Sequence, residues 1–103
     1  MTYAPDVRFI GMEACGSLAT LAHDRAAQLD RVHAGIMSCQ IAIEQERKRL
    51  QEKGRYRVHV GLVTASGHRL AEVSGGSHDV YTALHDAFDV SRQKLERATR
   101  RAH

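Results

Sequence analysis

Long apolar runs are missing from this chain: nothing approaches the roughly 20 residues that a membrane-spanning helix needs. The start, Met1-Thr2-Tyr3-Ala4-Pro5-Asp6, has neither a basic stretch nor an apolar one, which predicts no secretory signal peptide. Cysteine is scarce. Cys15 and Cys39 are too few for a disulfide framework, and a reducing cytosol is the expected compartment. Neither has a cysteine or histidine at metal-ligand spacing. The histidines at 23, 33, 59, 68, 78, 85 and 103 form no HxxH or HExxH pair, so no metal is expected. Ser74-Gly75-Gly76-Ser77 lacks the GxGxxG and GxxxxGK[ST] patterns that cradle phosphates. No serine or cysteine has a base suggested for it, so neither an enzyme nor a cofactor is expected.

What remains is an ordinary globular composition. The 103 residues suffice for one domain; 43% are hydrophobic and 26% charged. The net charge of +3 is unevenly spread. Residues 1–43 carry −1, residues 44–57 carry +3, residues 58–91 carry −3 and residues 92–103 carry +4. Positive charge therefore gathers in one connection and at one end of the chain. Arginine outnumbers lysine twelve to three, and its planar fork suits phosphate.

Apolar spacing divides the chain into six elements. Val7 to Met12 alternates partly and predicts a first strand. From Leu18 the period is helical, through Ala22, Ala26, Leu29 and Val32, with Ser17 or a position one or two residues earlier as cap and Gly35 as the stop. Ile36 to Glu44 alternates, with Cys39, Ile41 and Ile43 on one face. Gln45 to Arg55 is almost wholly polar and suits a hairpin connection. Tyr56, Val58, Val60 and Leu62 share one face of a third strand. A turn at Ala65-Ser66-Gly67-His68 precedes a fourth strand, Arg69 to Val73. Ser74 to Ser77 reads as a loop, with Ser77 a candidate cap and Asp79 well placed against the positive end of a helix dipole. Val80, Ala83, Leu84, Ala87, Phe88, Ser91, Leu95 and Ala98 then form one apolar stripe, flanked by Tyr81.

The order β-α-β-β-β-α predicts an α+β, two-layer sandwich. Two one-sided helices need a common apolar surface, which a four-stranded sheet with one polar face supplies. Strands two to four are joined by short turns and should run antiparallel. The first reaches the second through a helix, so that pair should be parallel, making the sheet mixed, with a right-handed crossover.

Several strings are specific enough to suggest kinship. Asp79-Val80-Tyr81-Thr82-Ala83-Leu84-His85-Asp86-Ala87-Phe88-Asp89 resembles the start of the second helix in the hibernation-promoting factor / ribosome-associated inhibitor A family. Ala26-Ala27-Gln28-Leu29-Asp30-Arg31 is similar to the end of that family's first helix. Ile36 to Ile41 resembles its second strand, and Lys53 to Val58 the start of its third. Gln28 stands where the family usually has lysine, and Val90 where some members have a basic residue. The resemblance spans nearly the whole chain and implies a single domain over residues 1–103, with a fold like that of double-stranded-RNA-binding domains.

The resemblance also implies a partner, the rRNA of the small ribosomal subunit. Binding would lie in the cleft that mRNA and tRNA otherwise occupy, so that translation is blocked by occupancy. Carried over by position, the RNA-contacting residues are Arg25 and Arg31 on the first helix and Arg92, Lys94 and Arg97 on the second. Arg100 and Arg101 extend the second group, since Arg92, Arg97, Arg100 and Arg101 lie off the apolar stripe and are free for phosphates. Arg47, Lys48 and Arg49 make a further candidate contact or a charged loop. No membrane and no small-molecule substrate is expected. A module that self-associates weakly through the polar sheet face is the alternative expectation.

Overall fold

The computed structural model describes residues 4–33, 35–46 and 54–101; within these, the side chains of residues 72–76 and 99–101 are not described. The elements are β1 (Asp6–Ile10), α1 (Gly16–Val32), β2 (Ile36–Glu46), β3 (Arg55–Thr64), β4 (Arg69–Ser77) and α2 (Val80–Arg101). The strands lie in the order β1-β2-β3-β4. β1 pairs parallel with β2, while β2–β3 and β3–β4 are antiparallel. α1 packs over β1 and β2, α2 over β3 and β4, and the helices touch each other. The mixed sheet and the β-α-β-β-β-α order are as the apolar periodicity predicts.

The core lies between the layers. Ile41 and Ile43 of β2 and Val58, Val60 and Leu62 of β3 meet Leu18, Ala22, Ala26 and Leu29 of α1 and Ala83, Leu84, Ala87 and Leu95 of α2. Alanines at 22, 26, 83 and 87 are fully enclosed and give the helices small contact residues above the sheet's branched side chains. Ser91 sits in this stripe without penalty because its hydroxyl donates to the Ala87 carbonyl at 2.7 Å.

The boundaries differ from the sequence reading in several places. β1 ends at Ile10, because Gly11 takes a φ of 70°. A Cβ there would lie 2.7 Å from the Gln45 carbonyl oxygen, so the chain turns where only glycine fits. The cap of α1 is Cys15, two residues before Ser17 and within the expected range, with no side-chain capping bond. Gly35 is not the stop. α1 closes on His33 in an extended conformation, its N–H bonded to the Leu29 carbonyl. The largest difference is β4. Ser74-Gly75-Gly76-Ser77 is strand, not loop: Ser74 pairs with Val58 and Ser77 with Tyr56, across a register shift between Tyr56 and Val58. Glycines in a strand commonly mark such a bulge. Asp79, not Ser77, caps α2. Its Oδ1 accepts from the Tyr81 N–H at 3.0 Å and its Oδ2 from the Thr82 hydroxyl at 2.9 Å. Ser77 acts one step earlier, accepting from the Asp79 N–H.

Candidate nucleic-acid interface

The two helices turn their outer surfaces away from the sheet, and helical geometry distributes the predicted cations over those surfaces. Residues at i+3 and i+4 share a face, whereas a spacing of six points elsewhere. Arg25 and Arg31 therefore diverge. Arg25 turns toward α2, and Arg31, in the last turn of α1, is exposed. On α2, Arg92 faces α1, Lys94 reaches the other way to the Ala71 carbonyl of β4 at 3.4 Å, and Arg97 projects outward. The predicted residues thus do not converge on one point. They are spread across the outer surface of the helical layer.

Their charges are not equally available. Arg92 is held by two carboxylates, Nη2 donating to Asp89 at 2.8 Å and Nη1 to Glu96 at 3.2 Å. This corrects the expectation that Arg92 is free for phosphate. The spacing i−3 and i+4 puts both acids beside it. The bond to Arg92, and then the charge of that guanidinium, lowers the Asp89 carboxyl below its usual range. Reciprocally, the bond to Asp89 and the charges of both acids raise the Arg92 guanidinium. Arg31 and Arg97 have no ion-pair partner among the described residues. Arg100 and Arg101 fall in the last turn of α2, and their side chains lie outside the described ones, as do Arg47, Lys48 and Arg49 altogether.

A groove runs between the helices. From α1 it is lined by Arg25, Gln28, Leu29 and Val32, and from α2 by His85, Phe88, Asp89 and Arg92. The Arg25 guanidinium donates from Nη1 to Gln28 Oε1 at 3.1 Å, while its Nε is buried with no hydrogen-bond partner. Of these lining residues, Asp89 has no place in the sequence expectation for this site. The signal for Asp89 was present in its spacing from Arg92, but no single-sequence pattern tells which face of α1 meets α2.

The opposite face of the sheet holds three acid–base pairs beside two exposed arginines, Arg55 and Arg69, that have no ion-pair partner among the described residues. Arg8 bonds Asp6 at 3.0 Å, Arg57 pairs with Glu46, and His59 lies 3.4 Å from Glu44. Between these pairs lie the small residues Ala42, Gly61 and Ala71.

Among the described residues there is no cluster of three or more potential metal ligands, and no helix is long and apolar enough to cross a membrane. Residues 6–103 match the family described as Sigma 54 modulation protein / S30EA ribosomal protein. The chain belongs to that family. Membership makes it kin to ribosome-associated proteins, not to an enzyme family. Two solved structures share the S30EA fold. A ribosomal subunit interface protein from Coxiella burnetii matches with a TM-score of 0.73 at 14% identity, over 92% of this chain and 96% of that one. The N-terminal domain of Protein Y from Thermus thermophilus matches with a TM-score of 0.68 at 18% identity, over 89% and 97% respectively. No curated protein sequence matches. At such identities the structural matches establish the S30EA fold for this chain and leave its surface chemistry to be argued from its own residues.

Proposed function

We propose that this chain is a ribosome hibernation factor. It binds small-subunit rRNA in the cleft for mRNA and tRNA and blocks translation by occupying it, in the cytoplasm and without chemistry. The observation that carries this reading, together with S30EA membership, is the pair of exposed cations on the helical layer. Arg31 and Arg97 project from it, one on each helix, with no ion-pair partner among the described residues.

Unpaired guanidinium groups suit phosphate, because each contact releases counterions from the RNA and forms charge-assisted hydrogen bonds. Two cations on separate helices meet two stretches of backbone, which favours recognition of RNA shape over base order. By their positions in the sequence of α2, Lys94, Arg100 and Arg101 join the proposed contacts. Arg92 contributes once Asp89 or Glu96 yields it to a phosphate.

The experiment is a sucrose gradient of lysate from starved cells, probed for this chain. It should travel with small subunits and leave them as salt rises from about 50 to 200 mM, the range over which phosphate contacts fade. A chain that stays at the top of the gradient at low salt, or that follows the large subunit alone, would overturn the reading.

A further inference from the structure

The groove between α1 and α2 is unlike the surface around it. Its floor is apolar, from Leu29 and Phe88. Its rim is polar, with Gln28 and Arg25 on one side and His85, Asp89 and Arg92 on the other. Arg25 Nε is buried there without an acceptor, although its neighbour Nη1 is bonded. A buried, unpaired N–H is unfavourable and stays so until an acceptor arrives.

The charge of the groove limits what that acceptor is. The Asp89 carboxylate stands on the wall opposite Arg25 and repels a phosphate, and the Arg92 guanidinium is already neutralised by Asp89 and Glu96. An uncharged planar group avoids that repulsion. It would lie on the apolar floor, accept from Arg25 and donate to Asp89. Among RNA components only a nucleobase has this combination, and His85 and Arg92 supply the flat surfaces on which unstacked bases settle. Guanine matches best. Its O6 and N7 accept from arginine, and its N1–H and N2–H₂ are donors for a carboxylate.

We propose that the α1–α2 groove is a pocket for a single unstacked RNA base, with guanine preferred. The inference rests on the RNA-binding reading above and adds base readout to recognition otherwise made through the backbone. Arg25 and Asp89 are the specificity-determining residues. Gln28 fixes the Arg25 fork.

The test is a titration of the full ¹⁵N-labelled chain with the tetranucleotides UUGU, UUAU and UUUU, following the arginine Nε–H signals by NMR. UUGU should shift the Arg25 signal and saturate at a concentration about tenfold below UUUU, as one good bidentate base contact allows. Arg25→Lys keeps the charge and removes the Nε–H; it should abolish the guanine preference and leave weak, base-independent binding. Val32→Trp, a change at the exposed rim, should block the pocket in the same way. Equal midpoints for the three oligonucleotides overturn the proposal. So does an Arg25 shift reproduced by inorganic phosphate alone. The gradient experiment separates this from the wider reading. If unaltered chain co-sediments with small subunits but shows no guanine preference, only the pocket falls. If it shows the preference but never sediments, the ribosomal role falls and the pocket stands.

Discussion

Arg31 and Arg97 on the outer surface of the helices and Arg8 and Arg57 on the open face of the sheet put the same residue type to opposite use. On the sheet, Arg8 and Arg57 each lie within bonding distance of an acid, so the field they create is cancelled locally. On the helices, Arg31 and Arg97 stand without such partners among the described residues, and their field reaches solvent. Residue type does not separate these four side chains. Pairing does. A cation already bound to a carboxylate must give up that partner before it meets a phosphate, and exposed pairs of this kind contribute little to stability. The difference also runs within α2, where Arg92 is bridged by Asp89 and Glu96 and Arg97, five residues on, projects outward.

The contrast breaks most visibly under charge reversal. Arg31→Glu with Arg97→Glu should weaken co-sedimentation with small subunits by about a hundredfold at 100 mM salt, and flatten its salt dependence. Arg57→Glu on the sheet should leave binding within about twofold, because that charge never reached the solvent field. Far-ultraviolet circular dichroism and thermal melting should show all these chains folded. Equal losses from the two faces would end the distinction between them.

A second test asks whether the helices must be seated for the asymmetry to exist. Leu84 is fully buried between α2 and the sheet. Leu84→Ala should cost about 2–5 kcal/mol in urea unfolding, the range for cavity-forming changes in a core. Ribosome binding should then follow the folded fraction. A smaller effect comes from the start of α2. Asp79→Ala removes the acceptor for the Tyr81 N–H and should cost about 1 kcal/mol by the same measurement.

The smallest effect concerns the paired arginine. Asp89 has a carboxyl held low by the hydrogen bond from Arg92 and then by the arginine's charge. A depressed folded-state value means the ion pair stabilises the protein above the unfolded carboxyl's ordinary value, about 3.9. That contribution is lost as pH falls through the lower folded value. A ¹³C titration of the Asp89 carboxyl should therefore show a midpoint below the ordinary one, and Arg92→Gln should return it.

How far the sequence carries this picture depends on the kind of signal. β2 and β3 are legible because each buries one face: Cys39, Ile41 and Ile43, then Val58, Val60 and Leu62, alternate with polar neighbours. The α2 stripe is legible for the matching reason at helical period. β4 is half lost. Its later residues are serine and glycine, whose local preference is for turns, and they are strand because β3 offers backbone partners. Asp79 over Ser77 is a choice between two good caps that only the position of the first helical turn decides. Tyr81, read as a flank of the stripe, is 52% exposed, because it lies beside the apolar face and not in it. For the interface, the helical placement of Arg31 and Arg97 follows from spacing. The ion pairs of Arg92 were readable from Asp89 and Glu96 at i−3 and i+4. The groove was not readable, since it depends on which sides of two distant helices meet.

The two thiols make this chain unusually easy to follow. Cys39 is buried in the core, and burial pushes its thiol up to about 12, where it stays unreactive. Cys15, at the head of α1, is half-exposed, and the Ser17 hydroxyl bonded to its sulfur draws its thiol down. A maleimide dye should therefore couple to one position without any engineering, on the helix that carries Arg31. Arrival on and departure from single ribosomes then become visible with the native polypeptide.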